Sequence, residues 1–231
     1  MPEQMKFEIP SRPALGRGDF YVTQSNAVAL ALIDTWPNWP GGKLVLTGPP
    51  RSGKTHLVHV WSAESGGRKI AATDLEEAGI PDLAASDICV EDVERIAGNA
   101  EGEAALFHLH NLVLANGRTL LLTASAPPSR WGLALPDLAS RMAGSTVARM
   151  APPDDLLLSA VLAKLFADRQ IVPMADVIPY LVRRMPRSFD AAGRIVEHLD
   201  REALGTPKGV TRALARKAMD ALEFPEQSAP D

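Results

Sequence analysis

The feature that most constrains this 231-residue chain is the octapeptide Gly48-Pro49-Pro50-Arg51-Ser52-Gly53-Lys54-Thr55. It follows the apolar run Lys43-Leu44-Val45-Leu46 and opens a stretch of helical periodicity that runs from Lys54 to about Ser65. The match to G-x-x-x-x-G-K-[ST] is complete, and a buried strand before it with a helix after it is the context that its chemistry requires. Glycines let the backbone curl so that successive N–H groups converge on a phosphate, while the helix adds unsatisfied N–H groups and the positive end of its dipole. Lys54 is then expected at the β- and γ-phosphates and Thr55 at Mg²⁺ through its hydroxyl. Gly48, Pro49, Pro50, Arg51, Ser52, Gly53 and His56 complete the expected cradle. The motif thus predicts a site for ATP or ADP with Mg²⁺.

The rest of the chain repeats the alternation. A helix is expected from Ser25, as N-cap, to Trp36, where Pro37 stops the pattern. Strands are expected at Lys69 to Ala71, Asp87 to Val90, Thr119 to Thr123 and Thr146 to Arg149, with a helix from Ala104 to Ala115. Strands alternating with helices imply an α/β fold, a parallel sheet flanked by helices on both faces. After Pro152-Pro153 only helical patterns follow, at Leu156 to Ala167, Asp176 to Arg184, Ser188 to Leu204 and Val210 to Leu222. The expected organisation is an extended arm (1–17), a nucleotide-binding α/β domain (18–151), a small all-helical lid (152–222) and a frayed tail (223–231).

Beyond the phosphate loop, nucleotide chemistry needs an acid at the end of a strand. Ile88-Cys89-Val90-Glu91-Asp92 offers one: Glu91 as the metal-side acid, acting through water, and Asp92 placed to orient or activate an attacking water. The Glu-Asp order is unusual, and the longer Glu91 side chain would shift the ion by about a bond length. Errors near 1 Å can cost on the order of a hundredfold in rate, so intrinsic hydrolysis is expected to be weak or absent. Thr123 and Ser125 follow the strand Leu120-Leu121-Leu122 and can present a hydroxyl toward the γ-phosphate or the water; such hydroxyls also form turns. A phosphate loop, an acid-ended strand, a polar-ended strand and a helical lid together are the layout of an AAA+ P-loop NTPase.

Two stretches, Leu122-Thr123-Ala124-Ser125-Ala126-Pro127-Pro128 and Gly132-Leu133-Ala134-Leu135-Pro136-Asp137-Leu138-Ala139-Ser140-Arg141-Met142, resemble those of the Hda family, short relatives of the replication initiator DnaA. The likeness runs from about Gln4 to Leu222. It implies that Arg141 is an arginine finger offered in trans, and a guanidinium so placed can be worth about 10³ to 10⁵ in rate. It also implies that Phe20, Val22 and Asn26 line an adenine pocket. The segment Gln4-Met5-Lys6-Phe7-Glu8-Ile9 is similar to the family's clamp-binding peptide. Gln4, Met5, Phe7 and Ile9 would dock on the sliding clamp of the replicase, with alternate apolar side chains filling pockets. One departure stands out: aligning Met185-Pro186-Arg187-Ser188-Phe189-Asp190 puts Asp190 where DnaA relatives carry an arginine toward the nucleotide. Arg187 or Arg194, each about one helical turn away, are the substitutes.

The resemblance implies an AAA+ regulator that docks on the clamp and stimulates hydrolysis of DnaA-bound ATP, with DnaA and the clamp as partners and a homo-oligomer possible. Alternatives are a DnaA-like ATPase or helicase loader and a passive DnaA-binding adaptor. Charge argues against the loader: the net charge is -4, and rows of basic and aromatic residues for single strands are not evident. Arg212, Arg216 and Lys217 read as a solvated helix face. Only about ten residues follow the last helical pattern, so no sequence-specific DNA binding is expected. No window nears the ~20 apolar residues of a membrane span. The single cysteine, Cys89, lies in an apolar run as a small core residue. A cytoplasmic, replisome-associated protein is the expectation.

Overall fold

The computed structural model describes residues 21–203 and 209–222. Its centre is a five-stranded, all-parallel sheet in the order β2-β3-β4-β1-β5, formed by β1 (Lys43–Thr47), β2 (Arg68–Ala71), β3 (Ile88–Glu91), β4 (Leu120–Ala124) and β5 (Thr146–Arg149). Around it lie α1 (Ala27–Ile33), α2 (Lys54–Ser65), α3 (Ile80–Leu83), α4 (Ala100–Ala115) and α5 (Pro136–Ala143). Parallel strands need crossovers, and crossover helices cover both faces, which is why β1 is buried along its whole length.

Alternation along β1 shows how the two faces are filled. Leu44 and Leu46 pack with Cys89, Leu121, Ala29 and Ile33, and with Leu57, Val58 and Trp61 of α2. Val45 faces the other way, into Ile88, Val90, Leu120 and Leu122, with Leu106, Leu109 and Val113 of α4 and Leu138 and Met142 of α5. Each fully buried Leu or Val contributes about 1.5–3 kcal/mol, so the two faces hold the sheet between α2 and α4 with no further device.

A separate apolar cluster joins α6 (Asp155–Asp168), α7 (Val177–Val182), α8 (Phe189–Ala203) and α9 (Arg212–Ala221), with Leu158, Leu162, Phe166, Leu181, Ile195 and Leu199 at its centre. Arg212, Arg216 and Lys217 are exposed on α9, and Cys89 is a buried free thiol.

Several expected boundaries move, each for a local reason. The first helix begins after Asn26, not Ser25: the Asn26 amide closes the preceding turn, accepting from the Thr23 N–H at 2.8 Å and donating to the Tyr21 carbonyl at 2.8 Å. It ends at Ile33, before Pro37 is reached. α4 starts a turn earlier than its apolar periodicity, because Asn99 caps it by accepting from the N–H groups of Glu101 and Gly102. α5, which carries Arg141, forms where no element was expected; Pro136 at its first turn is preset for helix.

Candidate functional site

The phosphate loop leaves the carboxyl end of β1, where parallel sheets open into ligand-binding crevices. Its backbone has the shape that the motif demands. Gly53 has φ +96°, a left-handed conformation that a side chain would strain, and a Cβ there would lie 2.8 Å from the Phe189 ring. A Cβ on Gly48 would come within 2.7 Å of the Met150 carbonyl oxygen and 2.8 Å of Ser52 Oγ. Ser52 is buried, and its Oγ has no hydrogen-bond partner among the described residues. Lys54, at the first position of α2, donates to the carbonyls of Gly48 at 2.7 Å and Pro49 at 3.1 Å. Burial pushes its pKa down, against Asp92 and Glu94, whose charges pull it up. A half-buried ammonium among carbonyls, beside curled backbone and a buried free hydroxyl, fits an oligophosphate.

Thr55 is exposed on the first turn of α2 and His56 is half-buried beside it; Pro49 is half-buried, and Pro50 and Arg51 are exposed. Arg51 has φ +63°, and its Nη1 lies 3.3 Å from Asp190 Oδ2 in an ion pair that lacks hydrogen-bond geometry. The lid thus touches the loop twice, through Asp190 on Arg51 and Phe189 over Gly53. Arg187 is engaged elsewhere: it pairs with Asp155 at 2.6 Å and donates to the Pro153 carbonyl at 3.3 Å.

Glu91 ends β3 on the same side of the sheet as Cys89, the side covered by α2. Asp92 is exposed with φ +57°. Its N–H donates to Thr123 Oγ1 at 3.1 Å, so β3 and β4 are tied together where their chains leave the sheet. Thr123 is buried. The Ser125 N–H donates to Glu94 Oε1 at 2.6 Å, while Glu94 Oε2 is buried with no hydrogen-bond partner among the described residues. Glu94 is the acid that sequence reasoning passed over: it acts on Lys54 together with Asp92 and holds the Ser125 loop. The signal was present in the acidic run Glu91-Asp92-x-Glu94 directly after the strand. Among the described residues no three acidic, histidine or cysteine side chains form a metal cage. Mg²⁺ does not need one, because it keeps several waters and takes one or two carboxylates with substrate phosphates; Thr55 and the β3 acids are a donor set of that kind.

Val22 is exposed, and Asn26 is buried with both amide atoms engaged as described. The segment before α1 is also tied to the lid junction, the Ala151 N–H donating to the Ser25 carbonyl at 3.0 Å. Burial would raise the Asp154 carboxyl, yet donors from Leu157, Thr23, Ser25 and Leu156 hold it below its usual value. Phe20 and the proposed clamp peptide, Gln4, Met5, Phe7 and Ile9, lie outside the described residues. Arg141 is exposed near the carboxyl end of α5. There its carbonyl accepts from Lys43 Nζ at 2.6 Å.

No protein-family model matches this sequence. Solved structures do. Domain III of the Thermotoga maritima replication initiation protein DnaA superposes with a TM-score of 0.76 at 17% identity, over 92% of this chain and 98% of that one. The chain also matches AMPPCP-bound DnaA from Aquifex aeolicus (TM-score 0.67, 18% identity, 83% of this chain and 67% of that one). A third match is the AAA domain of FIGL-1 in complex with ADP (TM-score 0.62, 13% identity, 82% and 74%). This is the AAA+ fold. The phosphate loop, the β3 acids and the polar end of β4 therefore meet at one end of an AAA+ sheet. No described helix is long and apolar enough to cross a membrane.

Proposed function

We propose that the chain binds ATP or ADP with Mg²⁺ at the Gly48–Thr55 loop and acts as a DnaA-related AAA+ regulator of replication initiation. In this reading it docks on the DNA-loaded sliding clamp through the arm and offers Arg141 to DnaA-bound ATP. Lys54 binds the phosphates, and Thr55 with Glu91 holds the metal. Asp92, Thr123 and Ser125 order the water side of the site.

The observation that carries this reading is the position of Arg141. α5 ends just before β5, and β5 begins opposite Leu44, so Arg141 belongs to the amino-terminal end of the sheet. The phosphate loop leaves the carboxyl-terminal end, about 16 Å away along β1 at ~3.3 Å per residue. A solvent-exposed arginine a strand length from its own phosphate site is suited to another subunit's nucleotide. There a guanidinium neutralises charge developing on the γ-phosphoryl oxygens. The DnaA-like AAA+ fold supports a role in replication, and the Asp190–Arg51 contact, which leaves an acid where an arginine would favour the triphosphate, supports a regulator over a motor.

The test is the decay of ATP bound to DnaA, measured with this protein in the presence and absence of DNA-loaded clamp. Acceleration is expected only with both present, and Arg141→Ala should abolish it while leaving adenine-nucleotide affinity unchanged. Equal acceleration by wild type and variant would remove the finger and favour a passive adaptor.

A further inference from the structure

We infer that Glu103 and Lys43 are positioning residues for Arg141, two buried charges of opposite sign that clamp the two ends of α5 to α4 and β1. The inference rests on reading Arg141 as the arginine finger.

α5 has only eight residues, and helices this short are not stable alone. Its N-cap, Leu135, has no side chain that can accept from the first turn. Glu103 on α4 instead fixes the backbone that leads into the helix. Its Oε2 accepts from the Leu135 N–H at 2.6 Å, and its Oε1 accepts from the N–H groups of Ala134 at 3.0 Å and Gly98 at 2.7 Å. The side chain is 1% exposed, so this carboxylate exists for backbone donors that converge from two loops. At the other end Lys43, 8% exposed, donates to the Arg141 carbonyl at 2.6 Å. His110, 2% exposed on α4, lies with Nε2 at 3.2 Å from the same ammonium. Its Nδ1 lies 3.1 Å from Asn111 Oδ1. A proton on Nδ1, donated to Asn111, leaves the Nε2 lone pair for Lys43.

An anion at the amino end and a cation at the carboxyl end both complement the helix dipole. Burying charges is costly unless they are fully hydrogen-bonded, and here each is spent on fixing α5. Among the described residues the guanidinium of Arg141 makes no ion pair, and the hydrogen bonds to this residue's carbonyl run from Lys43 and Ser145. Where the guanidinium can reach is therefore set by where α5 sits. An arginine finger misplaced by about 1 Å forfeits on the order of a hundredfold in rate.

The experiment measures stimulation of DnaA-bound ATP hydrolysis against concentration of the full chain, with DNA-loaded clamp, for wild type, Arg141→Ala, Lys43→Met, Glu103→Gln and the Lys43→Met/Arg141→Ala double variant. Lys43→Met and Glu103→Gln should each lower the saturating rate by about tenfold or more, with the half-saturating concentration unchanged. In the Arg141→Ala background Lys43→Met should add nothing. If Arg141→Ala stimulates like wild type, the proposed function itself is lost. If Arg141→Ala is inactive while Lys43→Met and Glu103→Gln stay within about twofold of wild type, only the clamp is overturned. Adenine-nucleotide affinity reports folding of each variant. Should both clamp variants lose it, hydrogen exchange on the wild type decides: amides of 139–143 protected like those of α4 uphold the clamp, and rapid exchange there overturns it.

Discussion

β1 begins with one lysine and leads through its loop to another, and the two are held in opposite ways. At the amino end, Lys43 is buried against His110 and the Arg141 carbonyl, contacts supplied by α4 and α5. At the carboxyl end, Lys54 donates to carbonyls of its own loop, Gly48 and Pro49. Burial lowers the pKa of both; near Lys43 the Arg141 charge lowers it further, whereas near Lys54 Asp92 and Glu94 oppose the fall. The contacts of Lys54 are local and exchangeable for a ligand's oxygens. Those of Lys43 join three elements and leave nothing to exchange. The proposed binding lysine and the proposed positioning lysine thus differ in whether their partners are near or far in the chain.

The largest expected effect tests the exchangeable end. Lys54→Ala should weaken adenine-nucleotide binding by about a hundredfold or more, which is ~2.7 kcal/mol, while leaving thermal stability close to wild type; titration calorimetry and a melt on the same sample measure both. If stability fell as much as affinity, Lys54 would be a structural group like Lys43 and the contrast would vanish.

A smaller effect sharpens the fixed end. Burial pushes the Glu103 carboxyl up, but three backbone N–H donors outweigh it and leave the group below its ordinary value. A carboxyl depressed in the folded state stabilises above the unfolded pKa of about 4.3, and that contribution fades as pH falls through it toward the folded value. Glu103→Gln should therefore cost about 1–3 kcal/mol at pH 7, with the gap to wild type closing below about pH 4 in urea unfolding. A gap that does not depend on pH would mean that the charge is irrelevant.

The smallest effect returns to the loop. Asp190 and Arg51 form an exposed pair, 39% and 48% exposed, and such pairs are worth about 0–1 kcal/mol. Asp190→Asn should leave stability within that range. It should tighten nucleotide binding by about two- to fivefold, because Arg51 is released to the phosphates; calorimetry would show unchanged affinity if the pair has no bearing on the site.

Chemistry that is local in the chain was legible without coordinates. The octapeptide needs only its own glycines, and the helix expected from Lys54 to Ser65 forms with those bounds because its punctuation is adjacent to it. The strand at Thr146 to Arg149 likewise keeps its expected limits. Where a boundary depended on a side chain turning back, as with Asn26 and Asn99, the apolar rhythm alone missed it. α5 escaped notice because its amino end is held by Glu103, from another helix. Glu94 stands in the sequence as an ordinary acid, and Asp190 as an acid at an arginine's place with no partner named. What distinguishes them is a partner brought by the fold: the Ser125 N–H for one and Arg51 for the other.

By itself the sequence determined the phosphate cradle, the alternating α/β order and the two-sided burial of the central strands, because each follows from spacing within a few residues. Tertiary structure alone decided which lysine keeps its contacts within its own loop and which is committed to distant elements, and which helix carries Arg141 and how it is held. The reason is physical. A hydrogen bond between Lys43 and Arg141, or between Glu103 and Leu135, forms only after the sheet has brought distant segments together, and no periodicity in the chain records that meeting.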